Sequence, residues 1–172
     1  MYKDCYLRFC TQKFTLDNTQ SSVHLCNYSI QKNFKNDEER CEDLPEENMW
    51  SNDDFIANYL APIGKQDAWE ETIYAQMKNA IVCSMQASQD IIESRKNTFE
   101  LYGADFMIGE DLKPWLIEIN CSPTMDRSTE ITTLLCDNVQ EDIVKGESHC
   151  LDILFKNYSE SLKLLIEPSD QS

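Results

Sequence analysis

Apolar residues recur every three to four positions in WEETIYAQMKNAIVCSMQASQDII, residues 69 to 92. There Ile73, Met77, Ala80, Ile81, Met85, Ser88, Ile91 and Ile92 fall on one side of a long helix. A stripe of that width is read as core. The same spacing predicts a helix through Ile131, Leu134, Leu135, Val139 and Ile143, and another through Leu151, Leu154, Phe155, Tyr158, Leu162 and Leu165. A shorter one starts at Ser51, where SNDDF offers a capping hydroxyl with Asp54 three residues on. Strand character lies in DCYLRFC and SVHLC, with polar TLDNTQS between them. It returns in TFELYGADFMI, which reaches turn-rich GEDLKP before WLIEIN and predicts a hairpin. No internal repeat, low-complexity tract or clear linker interrupts the pattern. The expectation is an α+β fold over residues 1–166, with helices packed on one antiparallel sheet and a frayed tail at 167–172.

Composition narrows the classes. At 172 residues and 41% hydrophobic, the chain is long enough to bury a core. No apolar run approaches the roughly 20 residues that cross a bilayer, and MYKDCYLRFC lacks a signal-peptide layout, so a soluble, intracellular chain with no membrane partner is expected. A net charge of -16 argues against nucleic acid, whose phosphates need a surplus of Lys and Arg. Much of the acid is in NDEERCEDLPEEN, 36–48, which reads as a solvated, mobile loop or, alternatively, a docking site for a basic partner. The eight cysteines sit singly, without zinc-site spacing, and are read as reduced, small apolar residues. Four glycines build neither a Walker A loop nor a dinucleotide fingerprint. His24 is read as a satisfied, half-buried histidine, since neither it nor His149 lies in a nucleophile motif.

The hairpin carries the candidate chemistry. With a loop at 109–114 and Ile108 opposite Trp115, Asp105 faces Glu118 and Gly103 faces Asn120, so the three oxygen-bearing side chains share one face. A one-residue slip or a bulge would break that parity. Two carboxylates directly opposite repel unless a positive charge lies between them or one is protonated. Two carboxylates and an amide, with remaining positions left to water and phosphate, suit Mg²⁺ acting on a nucleotide, and Gly103 would leave space above the site. Two other readings stand beside this one. One is an ordinary wet face of an antiparallel sheet. The other is a carboxylate pair for glycoside hydrolysis, which leaves Asn120 and the missing sugar-stacking aromatics unexplained.

LYGADFMIGEDLKPWLIEINCSPTM and VHLCNYSIQK together resemble the tubulin-tyrosine ligase-like family of ATP-grasp ligases, and YLRFCTQKF and NCSPTM are worded most like its tubulin monoglycylases. The resemblance runs from about Tyr6 past Met125 and covers only the later part of that family's catalytic region, which implies a fragment of an ATP-grasp domain. It implies an ATP-dependent ligase that phosphorylates a glutamate side chain in an acidic tubulin tail. The amine of free glycine would then attack the acylphosphate. By the same resemblance the metal ligands are Asp105, Glu118 and Asn120, with ATP contacts at Cys26 and Asn27 and amino-acid contacts at Tyr28 and Ser29. Arg8 lies near the donor carboxylate or phosphates, and the cofactors are ATP and Mg²⁺. Cys26 stands where the family commonly has threonine. Lys32 receives no role. The implied setting is the cytoplasm, on microtubules, in a cilium or axoneme. The alternative is a catalytically inactive fragment or interaction domain that keeps the fold. An acidic tail and a chain of charge -16 repel, so any basic groove must come from local clustering or from sequence elsewhere.

Overall fold

A computed structural model describes residues 3–38, 40–92 and 99–148. They form two compact units, one comprising 67–126 with 136–148 and the other 3–66 with 127–135. The predicted helix at 151–165 and the tail at 167–172 lie outside the described residues. Helices and antiparallel strand pairs together make the α+β class, but in place of the single expected sheet the described residues form two separate two-stranded ladders.

In the second unit, β1 (Tyr6–Arg8) pairs antiparallel with β2 (Met49–Ser51), placing Arg8 opposite Met49. Phe9 extends the pairing through its N–H to the Asn48 carbonyl and sets its ring edge-on to Trp50, with centroids 5.0 Å apart. The second predicted strand, SVHLC, is not a strand. Residues Ser21–His24 form a single helical turn, α1, closed by the Leu25 N–H on the Ser21 carbonyl. The apolar run there is too short to alternate, and Ser22 is fully buried with its hydroxyl on Gln12 Oε1 at 2.6 Å. A turn pairs these groups locally, so no ladder is required. A second turn, α2, spans Tyr28–Gln31.

The start at Ser51 is as expected. Ser51 caps α3 (Asn52–Phe55): its Oγ accepts from the Asp54 N–H at 3.1 Å, and the Asp54 carboxylate accepts from the Ser51 N–H at 3.0 Å. The helix continues through a π-helical stretch, Ile56–Leu60, which buries Leu60 completely. Ser51→Ala is expected to lower the stability of this unit by about 1 kcal/mol. Equilibrium urea unfolding followed by the fluorescence of Trp50 checks it, and an unshifted midpoint would show the cap to be dispensable.

The acidic stretch 36–48 is exposed over most of its length but hydrogen-bonded within itself. Asn36 Nδ2 donates to the Glu46 carbonyl at 3.1 Å, Asn48 Nδ2 to Asn36 Oδ1 at 3.0 Å, and Arg40 to the Pro45 carbonyl at 3.0 Å. The acidic residues described in it, Asp37, Glu38, Glu42, Asp43, Glu46 and Glu47, are exposed, as expected. Its described backbone runs through hydrogen-bonded turns.

In the first unit the long helix begins with a π-helical segment, Trp69–Tyr74, and becomes α4 (Ala75–Ser88) before ending in a 3-10 turn, Gln89–Ile91. Trp69, Ile73 and Met77 are buried. The predicted stripe does not stay inside: Ile91 is 83% exposed and Ile92 is exposed as well. A π turn and a 3-10 turn change the angle per residue, so positions on one face at 3.6 residues per turn drift apart at the ends. The hairpin forms from β3 (Tyr102–Ile108) and β4 (Pro114–Cys121), with α4 packed on β4. Between the strands the Gly109 N–H donates to the Lys113 carbonyl, and Leu112 sits buried in the left-handed region, φ 64°. Burial of that side chain offsets a backbone conformation that costs a non-glycine residue about 1 kcal/mol. Helix α5 spans Glu130–Ser148; it buries Thr132 and Cys136 and leaves Leu134 exposed.

Candidate functional site

The hairpin register is not the one expected near the turn. Ile108 pairs with Pro114, Met107 with Trp115 and Phe106 with Leu116, a slip of one residue. A bulge between Asp105 and Phe106 leaves Ile117 unpaired and restores the expected pairs, Asp105 with Glu118 and Gly103 with Asn120. Slip and bulge each reverse the parity, so together they preserve it. The three side chains do share one face. Asn120 Nδ2 donates to Asp105 Oδ2 at 3.3 Å and to Glu118 Oε1 at 3.1 Å, so one amide bridges two carboxylates and offsets part of their repulsion.

All three residues are exposed, and on the same face lie Met107 and Trp115, the latter 65% exposed. The space expected above Gly103 is filled. A β-carbon there would come within 3.1 Å of the Pro123 ring, because the chain leaves β4 through Ser122, with φ 52°, and turns Pro123 back onto the strand. Gly103 is therefore a seat for Pro123.

The donor set suits a hard cation. Two carboxylates and an amide oxygen on one face, open to solvent, leave positions for water and phosphate oxygens, as Mg²⁺ requires. Among the described residues no three His, Cys, Asp or Glu side chains group as metal ligands, so a cation held here would need the Asn120 amide beside the two carboxylates. Rotation of the Asn120 side-chain amide would present its oxygen in place of its nitrogen.

The second unit holds a cavity of about 520 Å³. Arg8, Cys26 and Tyr28 line it, together with Lys32 and Lys35. Arg8 points one guanidinium nitrogen at the Tyr6 hydroxyl, 3.1 Å away, and lies over the Tyr6 ring, while its buried Nε has no hydrogen-bond partner among the described residues. Asn27, at the start of α2, and Ser29, within it, are exposed and do not line the cavity; Asn27 makes no side-chain cap to α2, and its carbonyl accepts from Ile30 and Gln31. His24 is half-buried, bonded through Nε2 to the Asn18 carbonyl and edge-on to Phe14, as expected.

Two kinds of residue were not visible in the sequence. Lys32 and Lys35 line the same cavity as Arg8 and supply a local basic clustering that the overall charge conceals, although Glu46 and Glu47 share the lining. Their three-residue spacing, on a turn directly after the loop with Cys26, is the signal that could have found them. Gln31 is the other: its buried amide accepts from the Thr11 N–H at 2.8 Å and donates to the Leu25 and Ser22 carbonyls, fixing the loop that carries Cys26.

The oxygen trio on the hairpin and the arginine-lined cavity belong to a chain with clear relatives. It belongs to the tubulin-tyrosine ligase family, whose profile matches residues 1–157. It is 54% identical over 144 residues to protein monoglycylase TTLL8 of Mus musculus, 51% to tubulin monoglycylase TTLL3 of Homo sapiens and 50% to tubulin glycylase 3A of Drosophila melanogaster. Each alignment covers 84% of this chain but only 17%, 18% and 14% of the relative, so the chain spans less than a fifth of their length.

Proposed function

We propose that this chain is part of an ATP-dependent ligase that attaches glycine to glutamate side chains in the acidic tails of tubulin, by way of an acylphosphate. Residues 1–166 are read as the later portion of one ATP-grasp domain. The observation that carries the reading is the placement of Asp105, Glu118 and Asn120 on one hairpin face. The printed names of the glycylase relatives supply the reaction class.

In this reading Asp105, Glu118 and Asn120 hold Mg²⁺, which when bound neutralises charge on the phosphates of ATP. The hairpin positions those oxygens; no proton has to move at them. Cys26 and Asn27 contact ATP, and Tyr28 and Ser29 contact the amino acid. Arg8 binds the donor carboxylate or a phosphate, for which a planar, permanently charged fork is suited. Its unpartnered Nε supports that role, since a buried donor left without an acceptor is costly unless a ligand supplies one. Lys32 and Lys35 lower the electrostatic barrier to an acidic peptide locally. The reaction would take place on microtubules in the cytoplasm, including those of a cilium or axoneme.

The test exchanges the aligned 144 residues of the Mus musculus TTLL8 protein for those of this chain and measures radiolabelled glycine incorporated into tubulin. ATP-dependent incorporation is expected, and Arg8→Ala in the exchanged segment should reduce it roughly 10- to 100-fold, chiefly through weaker donor or phosphate binding. A folded chimera that incorporates no more glycine with ATP than without it would overturn the reading.

A further inference from the structure

The sulfurs of Cys10 and Cys26 lie 3.4 Å apart, 16 residues distant in sequence, and nothing in the ligase reading uses that proximity. The pair is held from both sides. Gln31 accepts from the N–H of Thr11, next to Cys10, and donates to the carbonyl of Leu25, next to Cys26. One buried side chain thus clamps the backbone beside each thiol. On the far side of Cys10, the Phe9 N–H is fixed on Asn48, and beyond Cys26 the Asn27 carbonyl is fixed by α2. Closing the sulfurs to bonding distance needs a movement of about 1.4 Å, within the reach of side-chain rotation.

We propose that Cys10 and Cys26 form a reversible disulfide under peroxide, a modification site that ties the end of β1 to the loop carrying Cys26, Asn27 and Tyr28. A metal site is the poorer reading, because a structural zinc needs four ligands. Among the described residues no third thiol, imidazole or carboxylate joins the two sulfurs as a ligand group. Cys10 is half-buried, and burial followed by its S–H bond to Cys26 pushes its thiol up to about 12, so it keeps its proton. Cys26 lines the open cavity and meets the oxidant first.

The sulfur of Cys26, as thiolate, takes one oxygen from hydrogen peroxide, whose O–O bond breaks to release hydroxide, protonated to water. The sulfenic acid so formed is attacked by the Cys10 sulfur, the S–S bond forms, and a second water leaves with the Cys10 proton. Two thiols are oxidised by two electrons while one peroxide is reduced to two waters. Bond formation does not rest on the ligase reading.

Trypsin separates the two cysteines, since cleavage after Arg8, Lys13 and Lys32 puts Cys10 in FCTQK and Cys26 in FTLDNTQSSVHLCNYSIQK, each with one cysteine. The chain is treated with graded hydrogen peroxide, blocked with N-ethylmaleimide, digested and read by mass spectrometry, with and without dithiothreitol. The expected result is one dominant dithiothreitol-sensitive link between these two peptides, at least roughly tenfold above any other cysteine pair because the partners are pre-positioned. Cys10→Ser should abolish the link and leave Cys26 as sulfenic or sulfinic acid. Maleimide on both Cys10 and Cys26 at peroxide levels that oxidise the exposed Cys41, Cys83 and Cys121 would overturn the proposal. So would links scattered evenly among all the thiols.

Discussion

Glu118→Gln is expected to reduce ATP-dependent glycine transfer roughly 100- to 1,000-fold in the chimeric ligase while leaving its fold unchanged, the size of loss seen when one electrostatic stabiliser of a transition state is removed. Glutamine keeps the length and one acceptor oxygen, so the bond from Asn120 Nδ2, 3.1 Å in the native chain, can persist. What it removes is one of two carboxylate charges that face each other across β3 and β4. Glu118 is exposed, so without a cation the substitution should change stability by no more than about 0.5 kcal/mol, and relief of repulsion with Asp105 pushes that change toward stabilisation. Three measurements together decide it. Glycine incorporation must collapse, calorimetric binding of Mg²⁺ with a non-hydrolysable ATP analogue must weaken, and the thermal midpoint must hold. Unchanged turnover would remove the metal role from this residue, whereas collapse together with a fall in melting temperature would point to a structural one.

Gln31→Glu is expected to destabilise the second unit by about 2 to 4 kcal/mol, the cost of leaving buried polar groups unmatched. A carboxylate can still accept from the Thr11 N–H, but it cannot donate to the Leu25 and Ser22 carbonyls and turns its charge toward both oxygens. The pH dependence identifies the mechanism. Burial beside two carbonyls raises the pKa of a new glutamate above its unfolded value of about 4.3, so the folded state binds the proton more tightly than the unfolded chain. The ionisation penalty is then absent below about pH 4 and grows as pH rises from there toward the folded pKa. Urea midpoints of variant and native chains should therefore converge as pH falls toward 4 and separate toward 7. A constant gap would assign the loss to packing. The same variant should weaken the link between Cys10 and Cys26, because Gln31 clamps the neighbours of both.

How the hairpin was anticipated shows what strand pattern can and cannot supply. Alternation in ADFMI and WLIEIN correctly placed three oxygen donors on one face, yet the assumed pairing at the turn was wrong by one residue. The bulge at Ile117 repaired it, and nothing in a two-residue period announces a bulge. Gly103 suggests open space over the oxygens, but Pro123, twenty residues along, fills it, and only coordinates reveal that approach. The apolar pattern of SVHLC suggests a strand, but the buried Ser22 hydroxyl finds its bond on Gln12 within a helical turn.

The chain's own order was sufficient for the cap at Ser51, the long helix from Trp69, the hairpin and its oxygen trio, and the helix through Ile131. Each of these depends on contacts between near neighbours or on a period that a linear string carries. Tertiary structure alone decided that β1 takes β2 as its partner, that Gln31 clamps two loops, that Lys32 and Lys35 join Arg8 around a cavity, and that two lone cysteines come within reach of each other. Those arrangements bring together residues far apart in sequence, and they are selected by the collective burial of a core and the pairing of its polar groups, which no single stretch of sequence specifies.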